Sequence, residues 1–115
     1  MKKSRRTERV SSLLQEEIGK IITREIEVPG LGMITITEVE VSVDLKLARV
    51  YYTVLGGSRK KENQMHIIEG KAKFIRKRVG ASVKLKYTPF IELIYDKTPE
   101  KAFRIEKIIK KIKNG

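Results

Sequence analysis

Val10, Leu13, Leu14, Ile18, Ile21 and Ile22 recur at helical spacing, with Ser, Gln, Glu and Lys between them. The spacing gathers the apolar side chains on one face and predicts an amphipathic helix over residues 5–25. Val28-Pro29-Gly30-Leu31-Gly32 then supplies a turn. Residues 33–43, MITITEVEVSV, alternate and are rich in β-branched side chains, as a strand requires. The apolar phase slips from even positions at Ile34 and Ile36 to odd ones at Val39 and Val41, which predicts a bulge near Thr37-Glu38. Asp44-Leu45 marks a turn, and residues 47–55, LARVYYTVL, read as a second strand that completes an antiparallel hairpin.

Ile68, Ala72, Ile75, Val79 and Val83 form an apolar stripe through residues 60–86, interrupted by Gly70 and Gly80. The two glycines predict a broken or kinked helix, or two helices at an angle. Thr88-Pro89 ends it, because a residue before Pro resists the helical region. FIELIY at 90–95 is a third strand. Thr98-Pro99-Glu100 then combines a cap, an N1 proline and a first-turn acid. Ala102, Ile105, Ile109 and Ile112 give a last helix its stripe, expected to cover the sheet. The whole is an α+β domain over residues 1–115: helix, strand, strand, helix-kink-helix, strand, helix, with a three-stranded sheet and its helices on one face.

Composition narrows the chemistry. The chain of 115 residues has no Cys and one His, which excludes disulfides, thiol catalysis and a Cys or multi-His metal site. No apolar run approaches the ~20 residues of a membrane span, and the basic start lacks a signal-peptide core. These features describe a soluble, cytoplasmic protein, expected to be monomeric, with no cofactor and no small-molecule substrate.

Charge changes the picture more. The net charge is +12, and it is segregated. Residues 28–58 carry two cations and three acids, whereas residues 59–86 carry ten cations and two acids. Within 71–86 there are seven cations and no acid: Lys71, Lys73, Arg76, Lys77, Arg78, Lys84 and Lys86. Repulsion among them costs stability that nothing nearby in sequence offsets, so the pattern points to a polyanionic partner. Nucleic acid leads and an anionic membrane is the rival. Arg76 and Arg78 head the phosphate-binding set, because guanidinium grips phosphate bidentately. Relief of crowding predicts that Arg76→Glu with Arg78→Glu leaves thermal stability unchanged or slightly higher. Lys2, Lys3, Arg5, Arg6 and Arg9 form a possible RNA-binding arm. The cationic last helix, with Lys101, Arg104, Lys107, Lys110, Lys111 and Lys113, also has the pattern of a membrane-surface helix.

Other groups have plainer readings. Strand phase assigns Tyr52 and Tyr95 to the core, and leaves Tyr51 and Tyr87 available for base stacking. Glu38, Glu40, Asp44, Glu92 and Asp96 are better explained by strand surfaces and turns than by a metal-dependent nuclease site. His66 reads as solvated.

The element order is that of the type II KH fold, and the residues add a sharper likeness. Leu31-Gly32-Met33 precedes the first strand, and Val39-Glu40-Val41-Ser42 with Asp44-Leu45 runs into Ala48 and Val50-Tyr51. Phe74-Ile75-Arg76, Leu85-Lys86, Pro89 and Tyr95-Asp96 follow in order. With these the chain resembles the ribosome-binding factor A family, bacterial assembly factors of the small ribosomal subunit. The resemblance implies a non-enzymatic protein that docks on the immature 30S subunit and assists late maturation of 16S rRNA. The alternatives are an rRNA-processing enzyme and a basic membrane-surface protein. KH domains usually bind single strands with a Gly-x-x-Gly loop, and none occurs here. The family's Ala-x-Gly kink falls on Lys71-Ala72-Lys73, so the chain departs from that pattern as well, and Gly70 is expected to serve the kink.

Overall fold

The fold is that of a computed structural model, which describes residues 3–100, 106, 108–110 and 112. Helix α1 spans Arg5–Glu25, strands β1 and β2 span Met33–Val41 and Leu47–Leu55, helices α2 and α3 span Lys61–Glu69 and Ala72–Ser82, and β3 spans Phe90–Tyr95. The α+β arrangement and the three-stranded sheet match the sequence expectation.

Helix α1 begins at a reciprocal cap. Ser4 Oγ accepts from the Thr7 amide at 3.2 Å, and Thr7 Oγ1 accepts from the Ser4 amide at 2.8 Å. Two otherwise unpaired backbone donors are satisfied this way. Leu14, Ile18, Ile21 and Ile22 are buried against the sheet, whereas Leu13 stays largely exposed at the stripe's margin.

The sheet order is β1-β2-β3, with β1 antiparallel and β3 parallel to the central β2. A parallel neighbour needs a crossover, which α2 and α3 supply. The β1–β2 register shifts between Ile36 and Glu38, so Thr37 is the extra residue. The bulge lets Val39 and Val41 turn to the core. It also aims the Thr37 hydroxyl across the sheet, where it donates to Asp96 Oδ2 at 2.6 Å.

A corner of close backbone packing fixes the hairpin's open end. Gly32 and Gly57 have φ of 87° and 86°. A Cβ on Gly32 would meet the Leu55 carbonyl at 2.7 Å, and one on Gly57 the Gly30 carbonyl at 2.6 Å. Only glycine fits there. The buried Gln64 side chain of α2 donates to the Leu31 and Gly56 carbonyls and ties the crossover to this corner.

Val39, Val41, Ala48, Val50, Tyr52, Ile91 and Leu93 line the covered face of the sheet, with Ile68, Ile75 and Val79 from the crossover helices above them. Tyr52 is fully buried and donates its hydroxyl to Glu69 at 2.8 Å. Its ring meets that of Tyr95 edge-on at 5.7 Å. On the opposite face Arg49 stands between Glu40 and Glu92 in the register, a cross-strand row of alternating charge.

Two expectations are corrected, and the break expected at Gly70 is found there. The crossover helix ends at Ser82, not at Thr88, because Val83 turns to extended backbone and buries its side chain. The Ser82 hydroxyl donates to the Arg78 carbonyl and helps close the last turn. Residues 83–89 therefore form a strap, bent at Val83 and at Lys86-Tyr87, that returns the chain to the start of β3. Gly80 lies inside α3, and the break falls at Gly70 and Lys71, both with negative φ, before α3 begins at Ala72. Finally, Thr98–Glu100 and the described residues from 106 to 112 are helical, yet Ile109 and Ile112 are exposed rather than packed on the sheet. Ala102 and Ile105 of that stripe lie outside the described residues.

Candidate nucleic-acid interface

Helix α3 presents two working faces. Ile75 and Val79 are fully buried, and the side facing β3 carries Lys73, Arg76, Lys77 and Gly80, residues three and four apart. The strap brings Lys86, Tyr87 and Thr88 opposite them, and Phe90 and Ile91 close the floor. The result is an open groove of about 930 Å³ whose lining includes four cations and no acid.

Gly80 sets how closely the strap approaches, since a Cβ there would stand 2.9 Å from Thr88 Oγ1. Arg76 fastens it. Its Nε donates to the Pro89 carbonyl at 3.2 Å and its Nη2 to the Thr88 carbonyl at 3.0 Å. The same guanidinium lies over the Phe90 ring, 4.5 Å from the centroid. Three N–H groups of Arg76 are left for a ligand.

The other sequence-selected cations divide by position. Arg78 points away from the groove to α1, with Nε 2.9 and 3.0 Å from the two carboxylate oxygens of Glu25. Lys71 occupies the break before α3 and is half-buried, and Lys84 is exposed on the strap. Arg5, Arg6 and Arg9 stand exposed on the first turns of α1, with Lys3 just before the cap; Lys2 lies outside the described residues. Among the described residues Lys73, Lys77, Lys84 and Lys86 form no ion pair. Because both arginines are anchored, replacing them removes stabilising contacts, and the expected relief of crowding gives way to a loss.

Sequence reasoning missed Phe90. It is 66% exposed and Tyr87 is 62% exposed, and the two rings share the groove. Phe90 was legible as an oddity: in the alternation of β3 it falls in phase with Glu92, away from buried Ile91 and Leu93.

The acids are occupied elsewhere. The Ser42 hydroxyl and the Lys46 amide donate to Asp44 and hold its carboxyl below the ordinary range. The Thr37 hydroxyl does the same for Asp96. The Tyr51 hydroxyl lowers the pKa of Glu40, and that contact raises the pKa of Tyr51. Burial, then the bond to Glu69, pushes Tyr52 well above its usual value. Among the described residues no trio of His, Cys, Asp or Glu is grouped to hold a metal ion, and no helix is long and apolar enough to cross a membrane. His66 is exposed on α2.

The sequence profile of Ribosome-binding factor A matches residues 6–109. A ribosome-binding factor A from Halothermothrix orenii is 40% identical over 111 residues, covering 96% of this chain and 91% of its own. One from Thermodesulfovibrio yellowstonii is 34% identical over 113 residues, covering 98% and 95%. In structure the chain is similar to the crystal structure of ribosome-binding factor A from Thermus thermophilus, with a TM-score of 0.67 at 18% identity, covering 77% of this chain and 94% of that one. It is also similar to a Thermus thermophilus homology model fitted into the cryo-EM map of a 30S complex, with a TM-score of 0.62 at 18% identity, covering 76% and 91%. At these identities the structural likeness speaks for the fold.

Proposed function

Because the chain belongs to the ribosome-binding factor A family, we propose that it docks on the immature small ribosomal subunit and assists late maturation of 16S rRNA as a non-catalytic, cytoplasmic, monomeric RNA binder. The observation that carries this reading beyond the family is the acid-free groove between α3 and β3. A surface that gathers four cations without an internal counter-charge is matched by phosphate. Lys71, Lys84 and the cations at the start of α1 extend the positive field around it. The 30S complex of the Thermus thermophilus relative is in keeping with such a partner.

The mechanism is differential binding. A protein that grips one rRNA conformation more tightly than another shifts the balance between them by that difference in affinity. Release follows once the mature conformation no longer presents the preferred surface. Sedimentation tests the reading. The protein is expected to travel with small subunits and not with complete ribosomes; equal association with both removes the assembly-factor role. Incubation with precursor rRNA and divalent metal is expected to leave RNA lengths unchanged, and cleavage would favour an enzyme.

One observation favours a second reading. Ile108, Ile109 and Ile112 are exposed beside Lys110 in the last helix, a pattern suited to an anionic membrane surface. Flotation with anionic liposomes that persists against competing RNA would support it.

A further inference from the structure

We propose that the groove between α3 and β3 takes a single-stranded RNA segment, with an unpaired base stacked on Tyr87 or Phe90 while Lys73, Lys77 and Lys86 hold the neighbouring phosphates. The proposal rests on the RNA-binding reading above and names the form of RNA that this site accepts.

The charged wall alone would suit any phosphate backbone. The aromatic floor does not. In an A-form duplex the base faces are stacked on one another, and a protein meets only phosphates, 2′-hydroxyls and base edges. A duplex laid in this groove would offer the two rings no flat partner. A splayed single strand offers a π-face at every nucleotide, and stacking tolerates any base. Tyr87 and Phe90 are the most exposed aromatic residues among those described, and both lie on the groove with the cations.

Phe90 is mounted firmly, and the backbone that carries Tyr87 is braced. Phe90 opens β3, pairs with Leu47, and donates its amide to the Lys46 carbonyl at 2.8 Å. The Arg76 guanidinium holds the ring from one side. Tyr87 sits on the strap just before Thr88 and Pro89, whose carbonyls Arg76 grips, and Pro89 is fully buried. Little backbone freedom remains to be lost when a base arrives. Arg76 is accordingly a positioning residue at the centre of the site. The phosphates fall to the lysines, which have no acidic partner among the described residues. An exposed pair of rings serving only as apolar surface would not require this bracing, nor a basic wall beside it.

The test uses the full chain, a short fluorescein-labelled single-stranded RNA and a duplex of the same sequence, with Kd measured across a range of salt. Tyr87→Leu and Phe90→Leu keep apolar bulk and remove the ring. At least one of the two is expected to weaken single-strand binding about tenfold, the scale of one lost base–aromatic stack. Each should leave duplex binding within about twofold and the salt slope unchanged, since no counterion-releasing contact is lost. Lys73→Gln with Lys77→Gln should flatten the single-strand slope by about 1.4, at about 0.7 per phosphate. Single-strand affinity unchanged in both leucine variants overturns the proposal, and so does an equal loss on duplex. Sedimentation with small subunits separates this failure from failure of the underlying reading. A parent protein that does not sediment with them removes the function, whereas one that does, with leucine variants that bind RNA normally, removes the stacking alone.

Discussion

Helices α1 and α3 pack on the same sheet and present similar interiors, yet they treat charge in opposite ways. Helix α1 carries five cations and four acids, and Lys20 lies 3.4 and 3.5 Å from Glu16 and Glu17 one turn away. Helix α3 carries four cations and no acid. Where a helix only covers a core, its outer face settles its own charge with inexpensive local pairs. On the proposed reading, the outer face of α3 leaves its counter-charge to a partner. Even within α3 the division repeats: the arginines are engaged by protein and, among the described residues, the lysines are not.

The comparison fails first if the interiors are not equivalent. Ile18→Ala and Ile75→Ala both empty fully buried sites. Each should cost about 2–5 kcal/mol and be plain in thermal or denaturant unfolding. A loss below about 1 kcal/mol for Ile75→Ala would mean that α3 is loosely held and its outer face is no fixed surface.

The next largest effect concerns the exteriors. Lys73→Glu with Lys77→Glu should weaken association with small subunits about tenfold or more and flatten its salt slope by roughly one to two. Arg5→Glu with Arg9→Glu, at the start of α1, should change both less. The reverse order would move the RNA-facing surface to α1.

The smallest effect separates the two arginines. Arg76→Gln loses two bonds to strap carbonyls and should cost about 1–2 kcal/mol of stability. Arg78→Gln breaks an exposed pair with Glu25 and should cost well under about 1 kcal/mol. Equal melting temperatures would dissolve the distinction between a residue that fastens the strap and one that decorates α3.

Much of this frame was legible beforehand. The bounds of α1, β2 and β3 follow from periodicity, and the phase slip from Ile36 to Val39 located the bulge. Those features are local, and each residue's neighbours in sequence are its neighbours in the element. The groove is not local. It exists because residues 83–89 leave the helix and fold back over Gly80, and helical spacing through Val83 gave no sign of that departure. Sequence ranked Arg76 and Arg78 first for phosphate but could not show that protein groups hold them, since the two carbonyls and the Glu25 carboxylate come from distant segments. The last helix errs the other way: Ile109 and Ile112 keep perfect spacing, but spacing names a face without naming what covers it.

The parallel pairing of β3 with β2 has a consequence in time. The β1–β2 hairpin closes across a short turn, whereas β3 joins β2 only after all of residues 56–89 have been arranged, and long-range parallel pairing is intrinsically slow. Until then the inner strand of the finished sheet is an open edge, and a nascent chain holds it bare to any neighbour. Docking of β3 should therefore be the late step of folding. In stopped-flow kinetics Ile91→Ala should chiefly speed unfolding, while Val39→Ala in the hairpin should slow folding; a large slowing of folding by Ile91→Ala would reverse that order. The crossover that builds the groove is thus also the clock that decides how long the sheet stays unfinished.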